Sequence, residues 1–177
     1  MSSLPVLVLN SGSSSIKFSI YEAGDGERRK LNEGAVDGIG TEQGKFWIKD
    51  AEGHKLVDQS PALTNHSVEF KIVADLLHSG EFPAPAAIGH RMVCAAPTLQ
   101  ENRLVTPEMI DEMERYKDFA PLHTPIGAYI MRQALDLFPE IPNFACSDSY
   151  FQDIAKLHSF RWLEPPAPSS IGDLELS

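Results

Sequence analysis

Pro5 to Leu9 is a short apolar run, and Ile16 to Tyr21 alternates, with Ile16, Phe18 and Ile20 on one side and Lys17, Ser19 and Tyr21 on the other. A period of two is the signature of a β-strand. Between the runs lies Asn10-Ser11-Gly12-Ser13-Ser14-Ser15, a cluster of turn formers. Two strands joined by such a segment predict a β-hairpin at the start of the chain. Whatever follows must extend a sheet that this hairpin begins.

The pattern downstream agrees with a sheet. Further strands are expected near Lys30 to Val36 and Gly44 to Lys49, with a tight turn at Glu52 and Gly53. The first helix is expected over Ser67 to His78, where Val68, Ile72, Val73, Leu76 and Leu77 fall on one face. Gly80 stops it, and Pro83 and Pro85 follow. Ala86 to Val93 reads as a buried strand. Thr106 suits an N-cap, Pro107 the first helical position and Glu108 the positive helix end, so a helix is predicted over Pro107 to Lys117. Another is predicted from Pro125 to Leu137, and Pro142 to Cys146 forms a last strand. Strands first, then alternating helices and strands, predict an α/β fold with a mixed sheet.

Composition bounds the function. The 177 residues suit one domain with a real core, and 42% hydrophobic with 23% charged residues is an ordinary globular balance. A formal charge of -10 opposes nucleic-acid binding, and an anionic substrate needs a local positive pocket against that field. Cys94 and Cys146 have neither metal spacing nor a disulfide framework, and are expected as buried, reduced thiols. No apolar run approaches the ~20 residues of a membrane span, and Met1 to Pro5 lacks the charged start of a signal peptide. A cytoplasmic protein with neither nucleic acid nor membrane as partner is expected. Residues 1–160 are expected to form one domain. In 161–177, three prolines and two serines between Glu164 and Ser170 read as a linker or frayed end.

Four segments can carry chemistry, and each also has a plain structural use. The Ser-rich turn with Lys17 either presents hydroxyls, amides and a charge to a phosphate, or is a hairpin tip with a solvated lysine. Asn10 offers a neutral oxygen that can orient a magnesium-bound water. Arg91, in Gly89-His90-Arg91-Met92-Val93, is either a bidentate anion clamp or one half of an ion pair. His123 lies between Pro121 and Pro125 on a stiffened loop, as a structural or a catalytic group. Asp148, at a strand end, either does acid–base or arginine-orienting work or caps a helix.

The same four segments carry a family resemblance. Val6-Leu-Val-Leu-Asn-Ser-Gly-Ser-Ser-Ser-Ile-Lys-Phe18 resembles the phosphate-loop signature of acetate and propionate kinases, which belong with actin, sugar kinases and heat-shock chaperones. Gly-His-Arg-Met-Val93 resembles the family's Gly-His-Arg-Val-Val, Ala120-Pro-Leu-His-Thr-Pro125 its Ala-Pro-Leu-His-Asn-Pro, and Ser147-Asp-Ser-Tyr-Phe151 its Asp-Thr-Ala-Phe motif. The matches run in the family's order from Val6 to Phe151, while Gly24 to Glu81 matches in pattern alone. Departures occur at Cys94-Ala-Ala-Pro97, where the family has His-Gly-Gly, and at Thr124, Ser149 and Gln152.

The resemblance implies a ribonuclease H-like, actin-type N-terminal lobe. It implies that Asn10, Ser13, Ser15 and Lys17 face the transferring phosphoryl group, with Asn10 on the magnesium side. It implies that Arg91 contacts the acyl phosphate, that Val93 and Leu122 line the acyl pocket, and that His123 and Asp148 act with Arg91 in catalysis. The implied reaction joins ATP and acetate, or another short carboxylate, to give ADP and an acyl phosphate, with ATP and Mg2+ as cofactors. A second lobe, as a separate partner or through a homodimer, holds the nucleotide in such enzymes. The residues after Phe151 leave no room for it, so little or no turnover is expected of the chain alone. The alternative is a degenerate lobe that binds a small anion or a partner protein.

Overall fold

The computed structural model describes residues 3–24, 27–38, 40–41, 44–63, 66–93, 96 and 98–148. Strands β1 (Leu4–Ser11) and β2 (Ser15–Gly24) form the expected hairpin, with Asn10 opposite Lys17 and Ser11 opposite Ile16. It runs further into the polar cluster than the sequence suggests, because Asn10, Ser11 and Ser15 keep their backbone ladder and leave only residues 12–14 as the turn. The meander continues through β3 (Glu27–Asp37), β4 (Lys45–Asp50) and β5 (Lys55–Gln59). Strand β5 is not evident from its sequence. It lies at the sheet edge, and only Val57 among its residues is half-buried, so no apolar alternation marks it.

Helix α1 (His66–His78) then leads to β6 (Ala87–Met92), which lies parallel to β1. The buried stripe of α1 is Phe70, Val73, Ala74 and Leu77, while Ile72 and Leu76 lie at its half-buried flank. The spacing is helical as expected, but the stripe is rotated toward Phe70, whose large side chain the sheet takes up. Gly80 follows with φ 77, a left-handed conformation that glycine adopts without penalty, and ends the helix region.

After β6 come the two-residue strand β7 (Arg103–Leu104), helix α2 (Pro107–Arg115), a 3-10 turn at Lys117–Phe119, helix α3 (Thr124–Leu137) and strand β8 (Asn143–Ser147). The Thr106 hydroxyl accepts from the Met109 amide at 3.2 Å, the N-cap that Thr106-Pro107 predicts. Strand β8 pairs parallel to β6 and antiparallel to β7, giving the sheet order β5-β4-β3-β2-β1-β6-β8-β7. This is the mixed α/β architecture expected of the sequence. No described helix is long and apolar enough to cross a membrane.

The two parallel steps, β1 to β6 and β6 to β8, move the same way across the sheet. Right-handed crossovers therefore put their helices on the same face. Leu7, Leu9, Ile16, Phe18, Ile20 and Ile88 pack there against α1 and α3. Met92 and Ala145 join α2 and α3 in a second cluster. The alternate residues of the same strands lie on the opposite face, which holds none of these helices.

Two tight places in this core are testable. Gly34 lies opposite Phe18 and beside β4, where a Cβ would fall 2.4 Å from Phe18 Cζ and 2.7 Å from the Trp47 carbonyl oxygen. Phe18 is buried and the carbonyl is backbone, so neither yields. Gly34→Ala is expected to destabilise the fold by about 1–3 kcal/mol, read as a lower urea midpoint at unchanged slope.

His90 is the second. It is 3% exposed, and its Nε2 lies 2.8 Å from Asn143 Oδ1, while Asn143 Nδ2 donates to the Ile141 carbonyl at 2.8 Å. Burial lowers the imidazole from 6.5 to about 4, against the opposing hydrogen bond to Asn143. Its contribution to stability is therefore fully present above pH 6.5 and is lost as the pH falls toward 4. The interval corresponds to roughly 3 kcal/mol. Urea titrations of the native chain and His90→Gln between pH 7 and 4 should show a shallower pH slope in the variant. Equal slopes would mean that His90 is not buried neutral.

Candidate active site

Alternation decides which residues reach the open face. With Leu7 and Leu9 in the core, Val8 and Asn10 face the other way, and Lys17 faces Asn10 across the hairpin. With Ile88, His90 and Met92 in the core, Gly89 and Arg91 face outward from β6. With Ala145 and Ser147 buried, Cys146 is outward on β8 and Asp148 follows at its end. Strands β1, β6 and β8 are mutually parallel, so Asn10, Arg91 and Asp148 arrive together at their carboxyl ends. That is where open α/β sheets bind ligands.

The side chains meet. Arg91 Nε donates to Asp148 Oδ1 at 2.8 Å and Oδ2 at 3.1 Å, and Nη2 donates to Oδ2 at 2.7 Å. Arg91 Nη1 lies 3.4 Å from Asn10 Oδ1. Hydrogen bonding to the Asp148 carboxylate raises the Arg91 guanidinium above its ordinary value, so its charge is permanent. The pair is open to solvent, with side chains 49% and 37% exposed, and adds at most about 1 kcal/mol to stability. Its significance is geometric, because a carboxylate sits bidentately on the arginine fork. Of the two uses that the sequence allows for Arg91, this contact is the ion pair, made with Asp148.

A pocket of about 270 Å³ surrounds the pair, lined by Asn10, Ser11, Gly12, Ser15, Lys17, Arg91, Val93, His123 and Asp148. His123 is the residue before α3, and the 3-10 turn and Pro121 bring it to the rim. Two residues expected at the site do not line the pocket. Ser13 is exposed at the hairpin tip, and Leu122 is 67% exposed beside Phe119, itself 72% exposed. Ser11 and Gly12 line it without having been singled out. Their signal was their place beside Asn10 in the turn. The Gly12 amide donates to the Ser15 carbonyl at 2.8 Å, so this loop N–H belongs to the hairpin rather than to a ligand.

Burial raises the Cys146 thiol above its ordinary value, and the side chain is half-buried beneath the pocket row. Asp50, Glu52 and His54 have metal-like proximity among the described residues. They form the β4–β5 turn, where Asp50 Oδ1 accepts the Glu52 and His54 amides at 3.0 and 2.8 Å. That accounts for the cluster as a turn device. Cys94, Ala95, Pro97, Ser149, Phe151, Gln152 and the tail 161–177 lie outside the described residues, and Ala96 is buried beside Leu99.

Comparison with known proteins places the chain. The model of the acetokinase family matches residues 5–162. An acetate kinase of Streptomyces coelicolor is 36% identical over 155 residues, covering 85% of this chain and 38% of that protein. One from Campylobacter lari is 30% identical, with 92% and 41% covered. Among solved structures, Porphyromonas gingivalis acetate kinase superposes with a TM-score of 0.72 at 27% identity, over 93% of this chain and 42% of that one. A propionate kinase from Francisella tularensis gives 0.72 at 28% identity, over 86% and 38%. The chain thus spans about 40% of the length of the relatives it matches. On the match of the family model to nearly all of its sequence, and on its superposition with two family structures, the chain belongs to the acetokinase family.

Proposed function

We propose that this chain supplies the acyl-phosphate side of a site that transfers a phosphoryl group between ATP and a short carboxylate such as acetate. The observation that carries the reading is the bidentate seat on Arg91. A carboxylate already lies on the fork, at 2.7–3.1 Å, beside Lys17 and Asn10 and within the pocket. In the proposed reaction a substrate carboxylate oxygen forms the new P–O bond at the γ-phosphorus, and the bond to the ADP oxygen breaks. There is little covalent work for the protein, so charge neutralisation and alignment are its task.

The roles follow from position. Arg91 holds oxygens of the carboxylate or the transferring phosphoryl group, and Lys17 and Ser15 face the same charge from β2. Ser13, exposed at the hairpin tip outside the pocket, has a phosphate-facing role on the family motif alone. His123 donates from the rim. Val93 borders the small acyl group, with Leu122 completing that wall. Asp148 orients Arg91 and gives up the fork as substrate arrives. The donors suit magnesium only through water, because Asn10 offers a neutral amide oxygen while Asp148, the carboxylate on the pocket wall, is engaged by Arg91. When bound with ATP, the ion would neutralise phosphate charge.

Turnover by this 177-residue chain alone is proposed to be at most trace. The chain spans about 40% of its relatives, and its pocket is open to solvent. Loss of alignment alone can remove several kcal/mol of barrier lowering, up to ~7–11. A separate second lobe or a partner chain would restore it. The second reading, a non-catalytic lobe that binds a small anion or a partner, is favoured by the departures from the family motif at Cys94-Ala-Ala-Pro97 and Gln152.

Calorimetry with acetyl phosphate or sulfate tests the site itself. Weak binding is expected. Arg91→Ala should weaken it by about 10–100-fold, the ~1.5–3 kcal/mol of a charged hydrogen-bond pair. Arg91→Lys should recover only part, lacking the fork. Asp148→Asn, which removes the competing carboxylate, should tighten static anion binding several-fold. Unchanged binding in Arg91→Ala would move the anion site elsewhere. Hydroxylamine trapping of acyl phosphate from acetate and MgATP tests the chemistry. Robust turnover by the isolated chain, lost in Arg91→Ala, would contradict the expectation of trace activity. Anion binding that never becomes turnover, even with a supplied second lobe, would favour the non-catalytic reading.

A further inference from the structure

We propose that Asn102 is a positioning residue for the pocket: its side chain pins the carboxyl end of β8 and so sets where Asp148 meets Arg91. Asn102 Oδ1 accepts the Ser147 amide at 3.0 Å, one residue before Asp148. Asp148 in turn accepts from Arg91 Nε and Nη2 at 2.7–3.1 Å. What that pair does for an anion rests on the proposed function. The anchor beneath it does not.

The strand ladder explains why a side chain is needed here. On one side β8 is held by β6 as far as Met92, opposite Ser147. On the other, β7 has two residues, with Leu104 opposite Phe144 and Arg103 opposite Ala145. The Val105 amide donates to the Asn143 carbonyl at 2.8 Å, so the odd-numbered residues of β8 turn their N–H and C=O groups toward β7. Continued by two residues, the same register would bring Glu101 opposite Ser147. The strand begins at Arg103 instead, and Ser147 is 1% exposed. Without another acceptor its amide would be a buried, unpaired donor. The Asn102 oxygen takes that place. Asn102 is itself held from both sides, because Leu99 and Val105 are buried in the cluster with Met109 and Ile110 of α2. Arg103 Nη2 also donates to the Thr98 carbonyl at 2.7 Å, and the Thr98 hydroxyl donates to Glu112 of α2. The α2 end of the core thus acts on Asp148 through this side-chain oxygen.

Hydrogen exchange read by NMR tests the anchor with no ligand present. In the native chain the Ser147 amide should be protected. Asn102→Ala and the near-isosteric Asn102→Leu lack the acceptor. In both, the Ser147 amide and the Arg91 Nε–H should exchange roughly tenfold faster, about the loss of one hydrogen bond. Asn102→Asp keeps an oxygen in place and should retain the native rates. Gly34→Ala strains the core away from the pocket, and should lower the urea midpoint while leaving the Arg91 Nε–H unchanged. Sulfate calorimetry reads the consequence. Asn102→Ala should shift the affinity in the same direction as Asp148→Asn, and add nothing in an Asp148→Asn background. A fast-exchanging Ser147 amide in the native chain would overturn the proposal. So would an Arg91 Nε–H unmoved by both acceptor-free variants, or accelerated equally by Gly34→Ala. An effect on sulfate that persists undiminished in the Asp148→Asn background would do the same. Sulfate binding that survives Arg91→Ala counts against the proposed function alone, because the exchange rates are read without an anion.

Discussion

The site depends on the period-two alternation of three parallel strands whose inner residues are committed to the core. Leu9, His90 and Ala145 occupy one level across β1, β6 and β8, and each is buried. Their chain neighbours Asn10, Arg91 and Cys146 then have no choice of face. A slip of one residue in any strand would carry a charged or polar side chain into the core and an apolar one out. Register is thus fixed by burial, and the functional row inherits that precision without any stabilising interaction of its own. The weak, solvent-exposed Arg91–Asp148 pair can remain available for exchange because the fold does not rely on it.

Electrostatics acts locally against the whole. The chain carries a formal charge of -10, which repels phosphate at a distance. The pocket concentrates Lys17 and Arg91 around one carboxylate, Asp148. Within a Debye length of about 8 Å at physiological salt this local excess outweighs the diffuse acidic surface. His90, directly behind Arg91 in the chain, adds no charge, because burial keeps its imidazole neutral down to about pH 4.

The parts legible in the sequence are those where local chemistry and tertiary context agree. The hairpin is readable because Ile16, Phe18 and Ile20 are all buried on one face, and α2 because Thr106 and Pro107 do locally what an N-terminus requires. Strands β5 and β7 are not readable, since an edge strand need bury nothing on alternate positions. In α1, Val73 and Leu77 are buried as their spacing predicts and Ile72 and Leu76 pack at the flank, but nothing local marks Phe70, which the sheet buries. At the site, Asn10, Lys17 and Arg91 were readable from motif chemistry, whereas Ser13 and Leu122 do not line the pocket in this conformation. The pairing of His90 with Asn143 spans 53 residues, and nothing in either local segment announces it.

Folding and chemistry place different demands on a lobe of this kind. The core is complete where it concerns the strands, since Leu7, Ile20, Ile48 and Ile88 are all fully buried by residues of this chain. Nothing in that packing requires the pocket to be closed. Phosphoryl transfer requires closure, because the transition-state charge must be met from several sides with water excluded. One end of the sheet and the loop before α3 offer groups from a single side, and Lys17, Arg91, His123 and Asp148 line the pocket there. A lobe can therefore keep its fold and its arginine fork whether or not the pocket is closed. Stability and family resemblance follow from the core, on which the open pocket makes no demand.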